Sequence, residues 1–168
     1  MKKLISTEQN NANIARVIEL LADTPAKLEK LSQTFPDPAG LRQPLRPGGR
    51  SFSQILAHLL NCEARCAEAI TLALLEHEPL LVSIHPERQL AKLLQLELLP
   101  FSDLLTYFKL RRAILLNVLI TLTEEQWART IREADKQRRE SVYLQARSQT
   151  LHEFDHLAEI GERLAGGS

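Results

Sequence analysis

The strongest constraint on this chain is the period of its apolar residues. Residues 13–35 place Ile14, Val17, Ile18, Leu21, Leu28 and Leu31 at three- and four-residue steps, the spacing of one buried helix face. Residues 52–77 repeat the pattern with Phe52, Ile55, Leu56, Leu59, Ala69 and Leu72. Residues 101–122 carry Leu104, Leu105, Phe108, Ala113, Leu115, Leu116, Leu119 and Leu122, and residues 142–164 form a fourth long segment. No stretch reads convincingly as a strand. Four long helices with shorter links predict an all-α fold, a four-helix bundle with short extra helices in the connections. At 168 residues the chain is expected to form one domain, with a flexible tail over residues 164–168.

The boundaries have local causes. PDPAGLRQPLRPGGR, residues 36–50, is too rich in Pro and Gly to be anything but a connection. Ser51 then reads as an N-cap, and Gln54 three residues on completes a capping box. Thr123 and Gln126 repeat that pattern in LTEEQW. Pro25 falls inside the first segment and predicts a kink. Residues 87–98 read as a short helix and residues 129–140 as a polar loop or frayed helix. Trp127, the single tryptophan, is expected to pack a loop onto the bundle.

Lys+Arg and Asp+Glu are balanced at 21 each, which argues against a nucleic-acid binder. No run of about 18 apolar residues spans a membrane, and no apolar stretch follows the two N-terminal lysines as a secretion signal requires. Cys62 and Cys66 lie one helical turn apart, a poor place for a disulfide, so reduced thiols in a cytoplasmic protein are expected.

The most chemically suggestive string is HEFDH, residues 152–156. It fits H-E-x-x-H, in which two histidines bind zinc and the glutamate is a general base. His152 and His156 stand about 40° apart around a helix and reach one ion. The protease reading stops there. No third ligand follows on another element, and no upstream strand is available to hold a peptide. Glu153 lies about 100° from His152 and points away. A metal site in a bundle draws its ligands from facing helices. Of the five histidines, His77 sits at a helix end and His85 in a loop, whereas His58 lies mid-helix beside the apolar stripe. His58, His152 and His156 together would leave a coordination position open for water or substrate, as a catalytic metal needs. The opposing reading is three hydrogen-bonded core histidines.

Three pieces of the chain resemble the DinB-like (YfiT-like) superfamily of metalloenzymes, which includes hydrolase-like proteins and mycothiol- and bacillithiol-dependent enzymes. RPGGRSFSQILAHLLNCEA, residues 46–64, is similar to its loop and second helix with an HLxxxE pattern. DLLTYFKLRRAILLNVLITLTEEQW, residues 103–127, resembles its third helix with a mid-helix arginine. QTLHEFDHLAEI, residues 149–160, resembles its HDxxHLxQI helix. Phe52, Glu153 and Glu159 depart from the family's tryptophan, aspartate and glutamine. The resemblance implies that His58, His152 and His156 hold one divalent ion (zinc, nickel or iron). It also implies a small-molecule substrate, activation of water or of a low-molecular-weight thiol as co-substrate, and a homodimer. The alternative is a non-catalytic bundle with a structural metal.

Several neighbours have open roles at this point. Cys62, one turn beyond His58, is either a soft fourth ligand or a core residue. Arg111 and Arg112 interrupt an apolar helix. Either one faces the bundle mouth to hold an anion, or both lie on a solvated face. Glu63 is expected to make a helix–helix or capping contact. Asp155, Glu159 and Arg112 are the candidate catalytic residues, and Glu159 is also placed to orient an imidazole.

Overall fold

In a computed structural model, four long helices pack around a core that a buried polar layer divides in two. The structure describes residues 5–35, 37–134 and 137–165, and the tail Gly166-Gly167-Ser168 lies outside them. The four helices are α1 (Asn11–Ser32), α2 (Phe52–Leu75), α4 (Phe101–Leu119) and α6 (Val142–Ala165), with short helices α3 (Ala91–Leu94) and α5 (Glu124–Ala128) in the connections. α1 packs on α4 and α6, and α2 packs on α6 and α4.

Local chemistry starts and stops these elements where the sequence indicates. Ser51 and Gln54 form the reciprocal capping box at α2, and Thr123 and Gln126 form one at α5. Trp127 is buried against the bundle beside Tyr143. Two expectations are corrected. Residues 87–98 are not one helix: a π-helical turn Pro86–Leu90, α3, and a 3-10 turn Leu96–Leu98 succeed one another. Gln95 breaks the run by taking a left-handed conformation, φ 46°. A small sheet is also present. β1 (Leu80–Leu81) pairs parallel with β2 (Thr130–Glu133), which pairs antiparallel with β3 (Arg139–Ser141). Leu81 and Ile131 anchor it to the core. The sheet ties the chain leaving α2 to the chain entering α6. α4 is apolar on two sides: Leu104, Phe108, Leu115 and Leu119 face inward, while Tyr107, Leu110 and Ile114 are exposed.

The polar layer runs through all four long helices. One apolar cluster contains Leu21, Cys66, Leu115 and Ala146, and the other contains Leu28, Leu60, Phe108 and Ile160. Between them on α1, α2, α4 and α6 lie Thr24, Glu63, Arg112 and Glu153, all buried. Arg112 is 1% exposed. This corrects the expectation that it lines the bundle mouth or a solvated face. Its five N–H groups are all engaged. Nε and Nη2 donate to the two Glu63 oxygens at 3.3 and 3.4 Å. Nη1 donates to Glu153 Oε2 at 3.0 Å, Nη2 to Glu153 Oε1, and Nη1 also to the Leu21 carbonyl at 2.6 Å. That carbonyl needs a donor because Pro25, four residues on, has no N–H to give it. The guanidinium fills the gap that proline leaves in α1.

Burial alone would pull the Arg112 pKa down, and the Glu153 and Glu63 carboxylates more than offset that, holding it above its ordinary value. Glu63 behaves oppositely to a surface glutamate. Burial pushes its carboxyl above the ordinary value near 4.5, and the nearby Glu153 charge adds to this against the pull of Arg112. A raised folded pKa means that the folded chain holds the proton more tightly than the unfolded one. The stability gained this way is complete below the unfolded pKa and lost as pH rises through the folded pKa. Urea unfolding of the wild type and Glu63→Gln should therefore show the wild type losing stability relative to the variant as pH climbs from about 4.5. A pH-independent difference would contradict this. Arg112→Met strands two carboxylates and should cost about 3–5 kcal/mol. Lys109→Met breaks only an exposed pair with Glu29 and should cost no more than about 1 kcal/mol in the same titration.

Candidate metal centre

The three histidines selected from the sequence converge. His58 projects from α2 between the buried Ile55 and Leu59, and His152 and His156 project from successive turns of α6. Among the described residues they form a set of donors whose ligand atoms all lie within 4.8 Å of one another. His58 Nε2 stands 3.0 Å from His152 Nε2, and His156 Nε2 stands 3.2 Å from the same atom. The rings meet edge to face at 78° to 84° with centroids 4.7–5.0 Å apart. Each ring therefore aims a nitrogen at a common point without stacking.

The donor chemistry of this cluster fits a cation. His156 Nδ1 donates to Glu159 Oε2 at 2.9 Å, which fixes the tautomer and leaves Nε2 as an acceptor. A proton on His152 Nε2 can serve one neighbour at a time, so neutral imidazoles cannot all be satisfied by one another. A divalent ion satisfies all three. Nitrogens bound at about 2.0–2.1 Å lie about 3.3 Å apart at a tetrahedral centre and about 2.9 Å apart at right angles. The observed separations of 3.0 and 3.2 Å fall between these values.

The surrounding residues separate by role. Glu153, the glutamate of H-E-x-x-H, is not beside the histidine nitrogens. It is fully buried, bound to Arg112, and accepts a further hydrogen bond from Gln149 Nε2 at 2.7 Å. Glu63 is a helix–helix contact through the same guanidinium. Of the candidate catalytic residues, Arg112 has no donor left for a substrate, Asp155 is exposed, and Glu159 is engaged with His156. Cys62 Sγ lies 3.7 Å from both ring nitrogens of His58, against the flank of the ring and outside the convergent set.

A cavity of about 460 Å³ opens beside the cluster, with Cys62, Arg65, His85, Glu133, Gln149 and His152 in its wall. His85 and Glu133 are functional-site neighbours that sequence reasoning missed. His85 sits in a loop whose course depends on β1, and Glu133 is paired with Leu81 across the sheet. Arg65 Nη2 holds the same loop by donating to the Val82 carbonyl at 2.6 Å. The His85 ring is oriented by the Arg88 N–H, which donates to Nδ1 at 3.3 Å.

A model of the DinB superfamily matches residues 13–160, a span that takes in all three histidines. The chain belongs to the DinB superfamily. Among solved structures, this DinB-superfamily chain is similar to YfiT from Bacillus subtilis, with a TM-score of 0.83 and 21% identity over 94% of this chain and 89% of that one. YfiT is described as a probable metal-dependent hydrolase with an unusual four-helix bundle topology. No curated protein sequence matches the chain. Among the described residues, no helix is long and apolar enough to cross a membrane.

The two cysteines of this DinB-superfamily bundle differ sharply in environment. Cys66 is buried, and burial together with the Glu153 and Glu63 charges pushes its thiol well above the usual range. Cys62 is only half-buried and faces the cavity. Iodoacetamide should alkylate Cys62 in the native protein and Cys66 only after denaturation, as read by peptide mass spectrometry. Equal labelling of both in the native state would contradict this placement.

Proposed function

We propose that the chain is a metal-dependent enzyme of the hydrolase type acting on a small molecule, with His58, His152 and His156 holding one divalent ion. The observation that carries the proposal is the convergence of three ring nitrogens beside an open cavity. A structural site is closed by a fourth protein ligand, whereas Cys62, the nearest thiol, stands outside the convergent set. A divalent ion held by these three residues would lower the pKa of a bound water or thiol and polarise a substrate carbonyl. The histidines are neutral ligands, so none of the ion's charge is cancelled.

The chain's own residues have separable tasks. Glu159 holds the His156 ring by its Nδ1 proton, which raises the basicity of Nε2. Arg112 keeps Glu153 away from the reacting groups, so the zincin arrangement with its adjacent glutamate base does not operate. His85 and Glu133 are the proton-accepting groups of the cavity wall and take that task. YfiT's description weighs toward water as the nucleophile. The sequence resemblance weighs toward a low-molecular-weight thiol, and the cavity of about 460 Å³ has room for one.

Protein purified without chelator should carry close to one equivalent of zinc, nickel or iron by elemental mass spectrometry. His58→Ala, His152→Ala and His156→Ala should each fall below about a tenth of an equivalent, while Glu159→Gln should bind about 10- to 100-fold more weakly. Turnover of 4-nitrophenyl acetate should track metal content. Full occupancy in the histidine variants would overturn the assignment of the ligands, and turnover by metal-free protein would overturn the role of the ion.

A further inference from the structure

Gln149 stands between the buried polar layer and the cavity beside the histidine cluster. It is 6% exposed, and its Nε2 donates to Glu153 Oε1 at 2.7 Å. Glu153 is ion-paired with Arg112 and, as a carboxylate, can only accept. The carboxamide therefore cannot turn end for end, and Oε1 is left facing away from Glu153. No described residue donates to Oε1, and it is not sealed in the core either. Gln149 forms part of the wall of the cavity of about 460 Å³, and the oxygen opens there. A lysine here would give Glu153 its donor, and a leucine would fill the space. A carboxamide does what neither does: it gives a donor to the core and an acceptor to the cavity.

That acceptor selects its ligand by hydrogen-bond type. A hydroxyl both donates and accepts, and so asks for a donor in return, whereas the Nε2 donor is turned toward Glu153. An amide N–H donates only, and matches a group that only accepts. An ester in the same place sets one oxygen against another. Gln149 and His152 are i,i+3 neighbours on α6, about 5–6 Å apart at their Cβ atoms, so the acceptor belongs to the same site as the three histidines.

We infer that Gln149 is a specificity residue of this cavity: its Oε1 accepts the N–H of a substrate amide, and the substrate class is amide rather than ester. The inference rests on the metal-dependent hydrolase reading for the amide to be turned over; the N–H contact itself needs no ion. Hydrolysis of such an amide breaks the C–N bond, forms a C–O bond to the oxygen of one water, and leaves the water's proton on the departing amine. No other co-reactant is needed. The N–H stays on nitrogen throughout, so the contact serves the substrate and the leaving amine alike.

Titration of the zinc-free, ¹⁵N-labelled full chain with acetanilide and with phenyl acetate, its ester counterpart, tests this. Acetanilide should shift the Gln149 side-chain amide signal saturably and bind about tenfold more tightly than phenyl acetate. Gln149→Met keeps the length of the side chain without the acceptor. It should bring acetanilide down to the affinity of the ester and leave the ester unchanged. In the zinc-loaded protein the same variant should lose about tenfold more kcat/KM on 4-nitroacetanilide than on 4-nitrophenyl acetate. Equal affinity of the two probes for the wild type, or no saturable binding of acetanilide, would overturn the inference and leave an ordered water as the partner of Oε1. So would equal losses on both probes in the variant, which is what a purely structural role through Glu153 gives. Where the variant does not fold, the wild-type comparison alone decides. Zinc failing to load while acetanilide is still preferred would instead remove the metal centre and leave this contact standing.

Discussion

The Arg112 guanidinium is the constraint on which the other contacts depend. It stands on α4 and binds carboxylates from α2 and α6 and a backbone carbonyl from α1, so one side chain joins all four long helices. Apolar packing in the two flanking clusters is non-directional and tolerates sliding. Five directed hydrogen bonds do not. They fix the height and rotation of each helix relative to the others, and the proline in α1 frees the carbonyl that completes the set. Burial pushes Glu63 toward its neutral form, and the second carboxylate, Glu153, adds to that push against the single Arg112 cation.

That register is what brings the histidines together. Glu153 follows His152 directly in the sequence, and Glu63 is five positions beyond His58. When Arg112 draws both glutamates to the bundle centre, α2 and α6 are turned so that His58 and His152 meet at 3.0 Å. The glutamate in H-E-x-x-H thus serves the site by orienting its helix. The same rotation carries Cys62 to the edge of the cavity and Cys66 into the core.

Much of this was legible in the sequence where causes are local. Helical period set the four long helices, and the Ser51/Gln54 and Thr123/Gln126 boxes set two of their starts. The i,i+4 spacing on α6, a lone mid-helix histidine on α2 and the family resemblance together picked out three residues that the fold does bring into one cluster. What escaped depends on partners far along the chain. Arg112 meets Glu63 and Glu153 at separations of 49 and 41 residues, so a charge in an apolar helix looked like a mouth or a surface. The sheet is held by strands of two to four residues, and its β1–β2 pairing spans about fifty positions; so short a pattern has no usable period. His85 and Glu133 reach the cavity only through that pairing. The signal available for Arg112 was the pair of glutamates at the same level of the inner helix faces, since a buried arginine needs anions beside it.

The proposed metal centre consists of three imidazoles and contains neither a thiol nor the H-E-x-x-H glutamate. X-ray absorption fine structure on the zinc-loaded chain tests it directly. Three imidazole nitrogens at about 2.0–2.1 Å are expected, completed by an exchangeable light atom, with no sulfur near about 2.3 Å. A sulfur shell, or fewer than three imidazoles around the ion, would contradict it.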